Sequence, residues 1–402
     1  MSHGAASPLR PSVWLALGLL TGCAPDPVHL GDLPEAAIAC GRDDAVVAAD
    51  ICFEESVREF AVSIEPLHFV TGDFSGDASI DVMTVGRREG AIGAELWLGS
   101  DRGPLGPPTD PMVTGCSAFP VPGPLLASGR DDILFATCAP YVDVYPGGTD
   151  GFGAPVRIDL PLSLRSTIID DIDSDGDTDL VVLGEDASAV AALSVVLREA
   201  DGSLSTPTMQ SLVPLSFDPV GASPADFDGD GLLDLAIRRG SVAGSLGFVR
   251  SIAPGVFGEP VRLTTELRPW SLAVADFDGD GDDDIVYADD QALVACVWIF
   301  DDVVTAQPVC RALEELVPQH LTAADLDGDG MAEVVLADAT NPQLWVWRPD
   351  LAGEGDVLEP LSVPAGTELV ELVDLNGDAA FDIIAGHFAA RTFSIRLAAP
   401  PK

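Results

Sequence analysis

The chain has 402 residues, 47% hydrophobic and 21% charged, so it can bury a large core and is too apolar to stay unfolded. Its formal charge of −45 argues against nucleic acid and anionic lipid as partners, because both would repel it. The sole lysine is Lys402, which excludes a phosphate-binding loop ending in Gly-Lys-Ser/Thr and a Schiff-base lysine in the body of the chain.

The N-terminus reads as a targeting segment. Arg10 supplies a positive start, residues 13–20 form a short apolar run, and Leu20-Thr21-Gly22-Cys23 follows at once. This resembles a bacterial lipoprotein signal, which implies removal of residues 1–22 and lipidation of Cys23 as the mature N-terminus. Ala24 after the cysteine implies, by the same resemblance, an outer-membrane address on the cell envelope. The apolar run is too short to span a bilayer, so the membrane would be met only through the lipid. Residues 23–39, rich in proline, alanine and acid, suit a tether, and residues 40–59 a small disulfide-closed cap. Six cysteines follow Cys23, an even number in an exported chain, which points to disulfides. Local pairing suggests Cys40 with Cys52, Cys116 with Cys138, and Cys296 with Cys310. A zinc site is a poor alternative, since no Cys-x-x-Cys element occurs.

From about residue 60 the chain is periodic. Acidic loops begin at Asp73, Asp171, Asp226, Asp276, Asp325 and Asp374, at intervals of 98, 55, 50, 49 and 49. The first interval is two periods, and within it residues 125–127 and 132–135 read as a strand, a shortened loop broken by Arg130, and a strand. Seven units of about 50 residues mean a propeller or a solenoid. In the fifth unit, strands are predicted at residues 271–275, 285–288, 293–300 and 309–313, all short and bounded by Asp, Gly and Pro. A proline recurs ahead of each predicted fourth strand, at Pro108, Pro155, Pro207, Pro260, Pro308 and Pro360, as suits an outer edge. The seventh unit ends after three strands, while residues 60–64 form a strand with no unit of its own. The expectation is an all-β, seven-bladed propeller of four-stranded blades over residues 60–402, closed by that N-terminal strand, which removes the exposed edge of an open array.

Four of the six loops place acids at positions 1, 3, 5 and 9, and the two terminal ones at 1, 5 and 9. Two unit charges ~4 Å apart repel by roughly 4 kcal/mol at an effective dielectric of ~20, so convergence of four implies a hard divalent cation, calcium, with oxygen ligands. Complete sets occur at Asp171, Asp173, Asp175, Asp179; at Asp226, Asp228, Asp230, Asp234; at Asp276, Asp278, Asp280, Asp284; and, with a longer last ligand, at Asp325, Asp327, Asp329, Glu333. The terminal loops depart: Asp73, Ser75, Asp77, Asp81 carry Ala78 at position 6, and Asp374, Asn376, Asp378, Asp382 carry Ala379 there. Glycine at position 6 makes a left-handed backbone cheap, so weaker binding is expected at these two. A helix-loop-helix calcium hand needs Glu at position 12, where this chain has Thr84, Val182, Ile237, Tyr287, Leu336 and Ala385.

Repeated Asp-x-Asp-x-Asp-Gly-x-x-Asp loops, with Phe152-Gly153-Ala154-Pro155 and Phe257-Gly258-Glu259-Pro260 in later turns, resemble FG-GAP or VCBS repeats, the family of the integrin α-subunit propeller. The resemblance implies calcium in the loop joining the first two strands of each blade, in a structural role.

His68 and His320 stand five residues before a loop and read as fold positions, and neither Gly-x-Ser-x-Gly nor His-Glu-x-x-His occurs. Trp97, Trp298, Trp345, Trp347 and Tyr145 recur in third strands, as blade-to-blade packing or as a carbohydrate-stacking platform. No catalytic residues are assigned. The expected function is a calcium-stabilised envelope module that binds or scaffolds a protein or glycan ligand. The alternative is a polysaccharide lyase or hydrolase on the same scaffold.

Overall fold

The computed structural model describes residues 45–398 apart from 49–50, 55–56, 100–106, 112, 114–119, 127–128, 138, 213–219, 239–245, 264, 301–307, 315, 339, 350 and 352–356. The signal segment, Cys23, the tether, Cys40, Cys116 and Cys138 lie outside these residues. Among the described residues no helix is long and apolar enough to cross a membrane.

Strands rich in Val, Ile and Leu, interrupted by Asp-Gly turns, pair antiparallel with their sequence neighbours. Seven of the resulting sheets are blades, in chain order. Blade 1 contains Glu65–Gly72, Asp81–Arg88 and Ala91–Trp97, with a single bridge from Leu96 to Thr109 in the fourth-strand place. Blade 2 contains Pro120–Gly123, Asp132–Ala136, Tyr141–Tyr145 and Val156–Asp159; blade 3 Ser163–Asp170, Asp179–Glu185, Ala191–Val196 and Thr208–Ser211. Blade 4 contains Gly221–Ala225, Asp234–Arg238, Leu246–Val249 and Val261–Leu263; blade 5 Ser271–Ala275, Asp284–Asp289, Val294–Trp298 and Val309–Ala312. Blade 6 contains Pro318–Ala324, Glu333–Asp338, Gln343–Arg348 and Val357–Ser362.

Blade 7 joins the two ends of the ring. Leu369–Val373, Asp382–His387 and Thr392–Arg396 are followed in the sheet by Arg58–Ala61, with Phe60 opposite Phe393. The closing strand begins two residues before the expected 60–64 and ends at Ala61. Phe60 stacks on Phe393 at 4.7 Å between centroids, and Trp97 of blade 1 meets both rings edge-on at 5.7 and 5.4 Å. The Thr71 hydroxyl donates to Glu371 Oε1 at 2.7 Å across the same junction. Burying an aromatic ring of this size stabilises by about 1.5–3 kcal/mol, so the closure is an apolar contact as much as a hydrogen-bonded one.

The core is divided among the blade junctions. Seven clusters of buried side chains occur among the described residues, one between each pair of neighbouring blades. Trp97, Trp298, Trp347 and Tyr145 are all buried in these clusters, which is the packing reading of the third-strand aromatics. His68 and His320 are buried as well; burial, then the charge of His320, pushes His68 down to about 3. His387 is buried between Thr367 Oγ1 at 3.0 Å and Ser394 Oγ at 2.7 Å.

Several elements differ from expectation. In blade 2 the inner strand is Pro120–Gly123, not 125–127. Its two prolines hide it from a propensity reading, but an inner strand has one neighbour, so alternate N–H groups are not needed. Pro360 lies inside the outer strand of blade 6, opposite Trp345, where the same reasoning applies. Blade 4 carries an unforeseen hairpin, Ser251–Ala253 with Val256–Phe257, held against blade 3 because Gln210 donates to Gly255 O and accepts from Phe257 N–H. Of the cap, Ala45–Ala48 pairs with Ile51–Glu54, and Ile51 and Phe53 enter the cluster between blades 6 and 7. Cys52 is disulfide-bonded. Cys296 and Cys310 are directly opposite each other in blade 5 and are bonded, as the local pairing suggested.

Candidate metal centres

Every acidic loop joins the first and second strands of its blade, so six copies of one geometry can be compared. The position 1 carboxylate accepts the backbone N–H of position 6 in all six, from Ala78, Gly176, Gly231, Gly281, Gly330 and Ala379, at 2.9 to 3.0 Å. Position 5 accepts the N–H of position 7, as in Asp230 from Leu232 and Asp280 from Asp282. Such a winding requires left-handed backbone at positions 4 and 6, with φ of 78° and 97° at Gly279 and Gly281. Ala78 and Ala379 adopt the same conformation at φ 68° and 69°, where a Cβ is crowded.

The position 9 acid behaves differently. Asp81, Asp179, Asp234, Asp284, Glu333 and Asp382 are essentially inaccessible to solvent. In blade 5, Asp284 Oδ2 accepts from Phe277 N–H at 3.0 Å and Oδ1 from Phe300 N–H at 2.7 Å, which ties the loop to the end of the third strand. Asp179, Asp234 and Asp382 make the same two bonds in blades 3, 4 and 7. Burial, only partly offset by those bonds, pushes these acids up: Asp81 and Asp179 to about 6, Asp234 and Glu333 to about 7, and Asp284 to about 8.

Four loops bring carboxylate oxygens within 4.8 Å of one another: Asp171, Asp173 and Asp179; Asp226, Asp228 and Asp230; Asp276, Asp278 and Asp284; Asp325, Asp327 and Glu333. These donor sets hold no histidine or cysteine, so they suit a hard cation. Asp173 Oδ1 and Asp226 Oδ1 are buried oxygens that receive no hydrogen bond, the vacancy in bonding a cation would fill. The residues therefore fit a divalent ion in blades 3 to 6. In blades 1 and 7, Ser75 and Asn376 replace the position 3 acid, and these loops are not among the convergent groups of the described residues. Positions 5 of blades 3, 5 and 6, namely Asp175, Asp280 and Asp329, stand outside the three converging acids of their loops.

Adjacent loops are bonded to each other, which sequence spacing does not reveal. Asp226 N–H donates to Asp283, at position 8 of the next blade, and Asp283 N–H donates back to Asp226 O. Asp73 and Asp131 repeat the exchange between blades 1 and 2, and Ala332 N–H reaches Asp276 O between blades 5 and 6.

Comparison with known proteins bears on the fold. Residues 171–237 match the model of the FG-GAP-like repeat, from the loop of blade 3 through the second strand of blade 4. No curated protein matches the chain. Among solved structures, BBS1N in complex with ARL6DN, soaked with lead, aligns over 82% of this chain and 91% of its own at 10% identity and a TM-score of 0.56. The mercury-soaked form aligns over 84% and 92%, at 10% identity and a TM-score of 0.54. At that identity the likeness is one of fold.

Proposed function

We propose that this chain is a calcium-stabilised propeller that binds or scaffolds a protein or glycan ligand on the bacterial cell envelope, anchored through a lipid on Cys23. The observation that carries the calcium reading is the convergence of three acids in each of four consecutive loops, two of them with a buried oxygen lacking a donor. Bound there, a divalent ion neutralises the carboxylates and links the two strands each loop joins. The role is structural, because the loops belong to the turns of the blades and the acids serve their winding. A binding role is supported by the fold: the propeller of similar architecture was crystallised as a complex with another protein. The strong negative charge favours ligands that are neutral, basic or bridged by calcium.

The test is thermal unfolding of the whole chain in calcium and in excess chelator. Removal of calcium is expected to lower the melting temperature by many degrees, by linkage to the folded state. An unchanged melting temperature would sink the calcium reading.

A further inference from the structure

The residue paired with loop position 10 lies at or next to the end of the third strand in each blade: Trp97, Tyr145, Val196, Val249, Trp298, Trp347 and Arg396 in turn. The residue after it is Leu98, Pro146, Leu197, Arg250, Ile299, Arg348 and Leu397. Five blades are apolar there. Blades 4 and 6 place an arginine, and both arginines turn onto the loop of their own blade. Arg250 Nη1 donates to Asp228 Oδ2 at 2.8 Å. Arg348 Nη2 donates to Asp327 Oδ2, and its Nε to Glu333 Oε1 at 2.9 Å. Asp228 and Asp327 are both position 3 acids of converging groups.

The second bond of Arg348 has a sequence reason. In blades 3, 4, 5 and 7 the position 9 acid accepts a backbone N–H from Arg198, Ser251, Phe300 and Ala398. The corresponding residue of blade 6 is Pro349, which has no N–H. Glu333 is one methylene longer than the aspartate elsewhere and takes Arg348 Nε in place of the missing backbone donor. Arg348 is thus built into the blade.

We propose that Arg250 and Arg348 are tethered counter-cations that compete with a divalent ion for Asp228 and Asp327. The inference rests on the calcium reading above. A guanidinium–carboxylate bond is charge-assisted, so a loop that must give it up, or bind beside it, holds calcium less tightly. Loops 4 and 6 keep their shape with less help from metal.

The test is Arg250→Leu, which installs the residue found in blades 1, 3 and 7, with Arg198→Gln as a control because Arg198 pairs with Asp177 at position 7. Calcium titration of the full chain by calorimetry is expected to show one site tightened about tenfold, or ~1.4 kcal/mol, and lost again when Asp230→Asn is added. In chelator the Arg250→Leu protein should melt below the parent, and excess calcium should restore it. Unchanged or weaker calcium affinity in Arg250→Leu would overturn the competition and leave the calcium reading standing. Absence of calcium binding in every variant would overturn both.

Discussion

The turn of blade 2 and the loop of blade 5 join equivalent strands, and both have eight residues between the strand ends. Blade 2 is therefore not shortened, contrary to the expectation from sequence. It keeps a buried apolar side chain at position 2, Leu125, a left-handed glycine at position 6, Gly129 with φ 68°, and a buried acid at position 9, Asp132. What differs is positions 1, 3 and 5, which are Pro124, Leu126 and Ser128. Asp132 nevertheless accepts from Leu126 N–H at 2.6 Å and Gly147 N–H at 3.1 Å, as Asp284 does from its own loop and third strand. The comparison separates two duties that a metal-binding motif merges. The acid at position 9 fastens a blade whether or not its loop can hold a cation, whereas the acids at positions 1, 3 and 5 can be lost without losing that fastening.

The largest way to break this comparison is Asp132→Ala. It strands two backbone donors, and each buried unsatisfied group costs about 1–3 kcal/mol, so denaturant unfolding should show a loss of roughly 2–6 kcal/mol, unchanged by calcium or chelator. Asp276→Asn in blade 5 should differ: a smaller loss in chelator, from the one exposed loop N–H that its amide no longer accepts, and a clear loss of the stabilisation that calcium supplies. If Asp132→Ala is rescued by calcium, the separation of duties is wrong.

Of intermediate size is the dependence on pH. Asp179, Asp234, Asp284 and Glu333 hold their protons to about 6, 7, 8 and 7 in the fold, through burial first, against about 4 in an unfolded chain. The folded state therefore binds more protons between pH 4 and 8, and its stability falls as pH rises through that window. Melting in chelator should be higher at pH 5.5 than at pH 8. In excess calcium the order should flatten or reverse, because the cation takes over the compensation of the charged carboxylates. A melting temperature in chelator that rises with pH over the same window would contradict the burial argument.

The count of blades and the ring closure were legible because a 50-residue period and a spare strand are one-dimensional facts, and the loop acids fall at fixed spacing. The inner strand of blade 2 was not, since Pro120 and Pro122 read as breakers until their edge position is known. Nor were the contacts between loops: Asp283 and Asp131 look like surplus charge in a row of acids, and only the ring brings them to Asp226 and Asp73. Arg250 and Arg348 were invisible for a related reason, because their register with the loops is set through strand pairing rather than through sequence distance.

The finest test concerns the terminal loops, where the backbone frame is kept under strain. Ala78 and Ala379 sit at φ 68° and 69°, in a region that Gly176, Gly231, Gly281 and Gly330 occupy at the same position in the central loops. A left-handed alanine costs roughly 1–2 kcal/mol, whereas the added freedom of glycine in the unfolded chain costs about 0.4–1 kcal/mol. Ala78→Gly and Ala379→Gly should therefore each stabilise by up to about 1 kcal/mol in denaturant unfolding. If frame strain also limits the fit to a cation, calcium should protect the double variant more than the parent. If protection is equal, the weakness of those loops lies in Ser75 and Asn376, and Ser75→Asp with Asn376→Asp should supply what the glycines do not.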